Sequence, residues 1–139
     1  LQAGTVLLHK SFMFADGATK DKYLVVLGKA QGTVLAAKTT SKGHRYRNDF
    51  GCQSANQYPA FFLPAKSCCL PLNTWICLGD FYELKEDALI GGITSGNVFR
   101  VGLLGDTFTR DVQFCAKGCD DISSHQESII DSSLAPAQN

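Results

Sequence analysis

The sequence predicts a mainly-β domain, a small and partly open antiparallel barrel with helices at its C-terminal end. Three observations carry that reading. Short apolar, β-branched runs separated by Gly and Asp turns fill most of the chain, and helical spacing sets in only after Gly105. There is no strand–helix alternation and no GxGxxG or Walker-type loop, which disfavours nucleotide-cofactor chemistry. The 139 residues, 45% hydrophobic and 10% aromatic, suit a single domain over 1–139, with the barrel at about 4–104 and the helices at about 106–131.

Residues 5–9 are apolar and β-branched, 23–27 form a buried-type run, and 33–40 resume strand character after Gly32. Asp16-Gly17 and the stretch 28–32 supply positive-φ positions for tight connections, so the second and third runs are expected to pair as a hairpin. Residues 44–57, rich in Asn, Gly and Gln, read as a surface loop. Residues 58–63 read as a strand ended by Pro64, and 73–78, with Trp75, Ile76 and Leu78, as the next. The segment Asp80-Phe81-Tyr82-Glu83-Leu84 reads as helical or irregular, and 98–104 as a further strand. Phe108, Val112, Phe114 and Cys115 then suit an amphipathic helix with Asp106 as N-cap and Gly118 as its stop. A second helix runs from Asp121 or Ser123 through Ile130, and 132–139 read as a frayed end.

Charge is zero overall but segregated. Residues 1–47 hold eight Lys or Arg against two Asp, +6, and 48–139 hold five against eleven acids, −6. Such asymmetry fits a basic surface for a polyanion or an acidic protein, and equally two halves that neutralise each other. No run approaches the roughly 20 apolar residues of a membrane span, and no signal-peptide core opens the chain, so a soluble protein is expected.

The six cysteines, at 52, 68, 69, 77, 115 and 119, lack paired zinc-ligand spacing. A chain this rich in Leu, Val, Ile and Phe does not depend on disulfides for its core, so reduced thiols are expected. Cys77 and Cys115 read as small buried apolar residues, and neither metal nor cofactor is expected.

The most informative stretch is 35–47, LeuAlaAlaLysThrThrSerLysGlyHisArgTyrArg. An apolar strand ends in three hydroxyls, then four basic residues and a histidine follow from Lys42 or flank it, with no acid before Asp49. Hydroxyls and backbone N–H groups at a strand end can orient a phosphate while Lys38, Lys42, Arg45 and Arg47 supply charge and Tyr46 stacks on a base. A Thr-rich strand end followed by a solvated basic loop has the same composition. His44 is a candidate general acid by residue type, His9 reads as a packed or edge histidine, and Asp80, Glu83, Glu86 and Asp87 as a solvated acidic face or an interface.

Gly4-Thr5-Val6-Leu7, then Lys22-Tyr23-Leu24-Val25-Val26-Leu27, then Ala36-Ala37-Lys38-Thr39-Thr40-Ser41 resemble, in order and spacing, the core of the MazF/PemK family of toxin endoribonucleases, including its ToxN-like branch. Thr74-Trp75-Ile76, Asp80 to Leu84 and the C-terminal helices are similar to divergent members. The resemblance implies an SH3-like barrel and metal-independent cleavage of single-stranded RNA. In that chemistry the ribose 2′-OH attacks the adjacent phosphorus and leaves a cyclic phosphate and a 5′-OH end. It further implies a cytoplasmic toxin held by a cognate antitoxin, with a homodimer as the assembly. Carried over by position, Lys22 matches the family's strand-opening basic residue and Thr39 its active-site Thr. Ser41 joins them as catalytic, while Lys20, Thr40, Lys42, His44, Arg45 and Arg47 bind substrate. Lys22 would stabilise the phosphorane or move a proton, and Thr39 would orient the phosphate. This sequence departs from the MazF pattern of Arg followed by Pro, having Lys22 followed by Tyr23, and Lys20 competes with Lys22 for the role. Two other readings stand beside the toxin: a non-catalytic barrel that binds RNA or protein, and a disulfide-stabilised secreted β-domain.

Overall fold

The computed structural model describes residues 1–48 and 51–137. Among them the elements run β1 (Thr5–Met13), β2 (Thr19–Ala30), β3 (Thr33–Thr40), β4 (Gly51–Gln53), β5 (Ala60–Leu63), β6 (Thr74–Cys77), β7 (Tyr82–Lys85), α1 (Glu86–Ser95), β8 (Val98–Leu103), α2 (Asp106–Lys117) and α3 (Ser124–Asp131). The strands form one antiparallel sheet in the order β4-β5-β6-β3-β2-β1-β8, with β7 also on β3, and β4 and β8 leave it open. The expected mainly-β, partly open architecture is the one found. No helix among the described residues is long and apolar enough to cross a membrane.

Strand β3 organises the sheet. Its first half, Thr33 to Ala36, pairs with β7, while Thr39 and Thr40 pair with Ile76 and Trp75 of β6. The sheet divides at that point and curls. Side chains alternate along β2 and β3, so Val25, Leu27, Leu35 and Ala37 enter one core and Leu24, Val26, Val34 and Ala36 another. The first core is closed by Val112, Ala116, Ile129 and Ile130 of α2 and α3, the second by Leu7, Phe12, Leu89 and Val98. Burial on both faces explains why 23–27 read as an unbroken apolar run. Each such fully buried Leu or Val contributes about 1.5–3 kcal/mol.

The β2–β3 hairpin forms as expected, but its turn is Gln31-Gly32, both at positive φ (51° and 82°), as a two-residue connection requires. Gly28 lies inside β2 instead. A Cβ there would stand 2.8 Å from the Ile129 carbonyl oxygen, so the residue admits the α3 backbone. Asp16-Gly17 makes the other turn, with Asp16 Oδ1 accepting from Ala18 N–H at 2.9 Å.

Several expectations are corrected. Asp80 to Leu84 is not helical: Tyr82 to Leu84 lie in β7, because Val34 and Leu35 of β3 offer a free ladder edge. Helix α1 follows directly, unforeseen in a segment with Gly91 and Gly92, so the helices are not all C-terminal. The α2 N-cap is Gly105, with Asp106 in the first turn beside the helix dipole; Gly118 is the C-cap. In α3, Ser123 caps through a reciprocal box with Gln126. The segment after α3 is tied down as far as Ala135. Gln113 donates to the Ser133 carbonyl and accepts from Ala135 N–H, while Ser132 donates to the Lys29 carbonyl. Residues 138–139 of the expected frayed end, and 49–50 of the expected loop, lie outside the described residues.

The thiol expectation is also corrected. Cys115 is not free: it is disulfide-bonded to Cys52, 63 residues away, because α2 packs against β4 and brings the two Cα atoms to 5.5 Å. Cys77 is buried with a free thiol, as expected, and Cys68, Cys69 and Cys119 are also free.

Candidate functional site

Where β2 begins and β3 ends, a cleft of about 250 Å³ opens, and the two strands line it with Lys20, Asp21, Lys22 and Tyr23 on one side and Thr39, Thr40, Ser41 and Lys42 on the other. The third wall is apolar, Leu70, Pro71 and Leu72, with Thr74 at its end. Six residues singled out in the sequence, Lys20, Lys22, Thr39, Thr40, Ser41 and Lys42, therefore meet in one place. A second, more open depression shares Lys20 and Lys22 and adds Phe14, Lys38, Asp80 and Tyr82.

Lys22 stands inside β2 rather than at its start, opposite His9 of β1, because the ribbon of β1 and β2 extends to Met13 and Thr19. Its ammonium donates to the Thr39 carbonyl at 3.2 Å. Burial, then the like charge of Lys20, pushes its pKa below the ordinary lysine value, and Lys38 and Lys42 act in the same direction. None of Lys20, Lys22 and Lys42 forms an ion pair among the described residues, whereas Lys38 stands 3.9 Å from the Asp80 carboxylate and over the Phe14 ring. Asp21, the acid in the cleft, accepts from Ser11 N–H at 2.9 Å.

Thr39 is 5% exposed and its hydroxyl donates to the Tyr23 carbonyl at 3.0 Å. That bond ties the two strands together beside Lys22. Thr40 is more open, and its Oγ1 accepts from Lys42 N–H at 3.1 Å, a bond that does not use the hydroxyl's own proton. Ser41 is exposed at the rim.

The rest of the expected anion site lies elsewhere. His44 is exposed and does not line the cleft. Arg45 lays its guanidinium over the Tyr58 ring at 5.1 Å. Arg47 anchors the loop through its backbone: its N–H donates to Gln53 Oε1, and its carbonyl accepts from Gln53 Nε2 and, at 2.7 Å, from Trp75 Nε1. Tyr46 does not stand ready for a base but stacks on Trp75 at 21° and 6.2 Å, its hydroxyl 3.4 Å from Cys77 Sγ. Burial holds the Tyr46 phenol and the Cys77 thiol above their ordinary ranges, so both stay protonated. Gly43 lets the chain pass over the indole; a Cβ there would come within 2.3 Å of the ring. His9, as expected, packs edge-on against Phe12.

The wall formed by Leu70, Pro71 and Leu72 escaped the sequence reading. Leu72, 60% exposed and next to a proline, is a signal only once the loop is seen beside the cations. The cleft thus brings together ammonium groups that lack an ion-pair partner among the described residues, clustered hydroxyls, the Asp21 carboxylate and an apolar wall. Comparison with protein-family models and with curated proteins returns no match.

Proposed function

We propose that the chain is a metal-independent endoribonuclease of single-stranded RNA, a cytoplasmic toxin neutralised by a cognate antitoxin. The observation that carries this reading is the half-buried Lys22 ammonium, short of counter-charge, in a cleft flanked by Lys20, Lys42, Thr40 and Ser41. A phosphodiester seated there receives cationic charge from Lys22 and hydrogen bonds from Thr40 and Ser41. A base of the strand rests on Tyr23 and the Leu70–Leu72 wall. The 2′-oxygen attacks phosphorus as its proton is removed, the P–O5′ bond breaks, and the 5′-oxygen takes a proton. Lys22 stabilises the charge that builds on the phosphoryl oxygens; its lowered pKa also suits it to move a proton. Thr39 serves by holding the Lys22 ammonium, through its carbonyl, against the end of β3. The acidic antitoxin segment and the RNA would compete for the same cations, and a homodimer remains part of the proposal.

One observation favours a second reading, a barrel that binds RNA or protein without cleaving it. The Thr39 hydroxyl is committed to the Tyr23 carbonyl, and no histidine lines the cleft. Incubation with mixed single-stranded RNA in excess EDTA, followed by end-group analysis, separates the two. Fragments with cyclic phosphate and 5′-OH ends, blocked by a 2′-deoxy substitution at the cut, are expected. Salt-sensitive RNA retention without fragments would move the conclusion to the binding module.

A further inference from the structure

The disulfide lies outside the cleft but one residue from the clasp that fixes the basic loop. Cys52 is exposed while Cys115 is 4% exposed, and both line an open depression with Ser54, Asp111 and Phe114, so a small molecule reaches the bond from the Cys52 side. Strand β4 is three residues long, at the sheet's edge, and among the described residues pairs only with β5. The residue after Cys52, Gln53, makes two hydrogen bonds to the Arg47 backbone, beside the one from Trp75. The covalent bond to α2 thus anchors the strand that anchors the loop.

We propose that Cys52–Cys115 is a thiol–disulfide exchange site through which a low-molecular-weight thiol sets how firmly the loop bearing His44, Arg45 and Arg47 is held. The thiolate attacks Cys52 Sγ along the S–S axis and forms a mixed disulfide there; Cys115 leaves as thiolate and takes a proton from water. A second thiol attacks the mixed disulfide, giving Cys52 thiol and the oxidised small-molecule disulfide. Two electrons pass from two small thiols to the protein. Cys119, one helical turn beyond Cys115, donates its S–H to the Cys115 carbonyl at 3.3 Å. Burial and the carboxylates of Asp121 and Asp120 push its pKa to about 11, so it stays a thiol and does not attack Cys115 Sγ in the intact disulfide. In the reduced form β4 loses its covalent tie to α2, and the loop loosens while the two cores and the Lys22 cleft persist.

The effect on RNA rests on the proposed function; the effect on the loop does not. The test treats the oxidised full chain with dithiothreitol under native conditions, maps alkylated cysteines by peptide mass, and follows hydrogen exchange and retention of a single-stranded RNA. Alkylation of Cys52 in folded protein is expected, with Cys115 labelled on later denaturation, and with roughly tenfold faster exchange over 43–48 and 51–57 and unchanged protection in β2 and β3. Cys52→Ser should show the same exchange pattern without reductant. RNA retention should weaken several-fold. Alkylation of Cys52 only upon global unfolding, or full reduction with unchanged exchange at the loop, would overturn the proposal. Faster exchange in a protein that binds no RNA in either state would uphold the exchange site and remove the RNA reading instead.

Discussion

Two cationic regions, neighbours in the chain, are built in opposite ways. In the cleft, Lys20 and Lys22 of β2 and Lys42 beyond β3 form no ion pair among the described residues, and burial works against the Lys22 charge. In the loop that follows, the Arg45 guanidinium covers Tyr58, Tyr46 covers Trp75, and the Arg47 backbone is clasped by Gln53 and Trp75. The first region leaves its charges without ion-pair partners among the described residues. The second uses its residues to fix a loop. Charge of the same sign therefore means different things according to what the surrounding side chains already satisfy, and composition alone does not separate the two.

The sharpest way to break the comparison is through the loop's platform. Trp75→Ala removes an indole that is 4% exposed, stacked by Tyr46 and Phe62 and bonded to the Arg47 carbonyl. A stability loss of about 3–5 kcal/mol in a denaturant melt is expected. The next largest effect belongs to the cleft. Lys22→Met should lower RNA cleavage by about 100-fold or more while leaving the melting temperature nearly unchanged. Lys22→Arg distinguishes roles, since a guanidinium keeps the charge but cannot act as a base: retained cleavage marks charge stabilisation, loss marks proton transfer. The same residue carries a pH signature. Its folded pKa lies below the ordinary 10.5, so the unfolded chain binds more protons between the two values, and stability rises with pH across that window. The Lys22→Met variant should lose that component of the rise in melting temperature.

Smaller effects sharpen the contrast further. Gln53→Leu breaks the clasp on Arg47 and is expected to cost about 1–2 kcal/mol in the denaturant midpoint, with cleavage in the oxidised protein reduced far less than by Lys22→Met. Arg45→Ala should cost no more than about 1 kcal/mol of stability, the range of an exposed cation–π contact, and lower RNA retention only modestly.

Much of this was legible from the sequence, for identifiable reasons. The unbroken apolar runs of β2 and β3, Ser123 as one of two starts for the last helix, and the Gly118 stop are local signals, and local signals survive folding. The meeting of Lys22 with Thr39 to Lys42 follows once β2 and β3 form a hairpin, since antiparallel register brings the start of one beside the end of the other. Non-local partners were hidden. Nothing near Tyr82 announces that it will pair with Ala36, and nothing near Cys52 announces Cys115. Tyr46 and Arg45 have the residue types of a nucleic-acid surface, and only the positions of Trp75 and Tyr58 reveal that their faces are already covered. Helix α1 was obscured because Gly91, Gly92, Ile93 and Thr94 are weak helix formers; it is held by Leu89 in the second core and ended by Gly96 at φ 82°.

The most direct measurement compares wild type, Lys22→Met and Arg45→Ala side by side for cleavage of single-stranded RNA in excess EDTA, with the fragment ends identified. Cyclic-phosphate and 5′-OH ends from wild type and Arg45→Ala, with Lys22→Met inactive yet folded, are expected. Equal cleavage by Lys22→Met and wild type, or loss in Arg45→Ala alone, would contradict the assignment of the chemistry to the cleft.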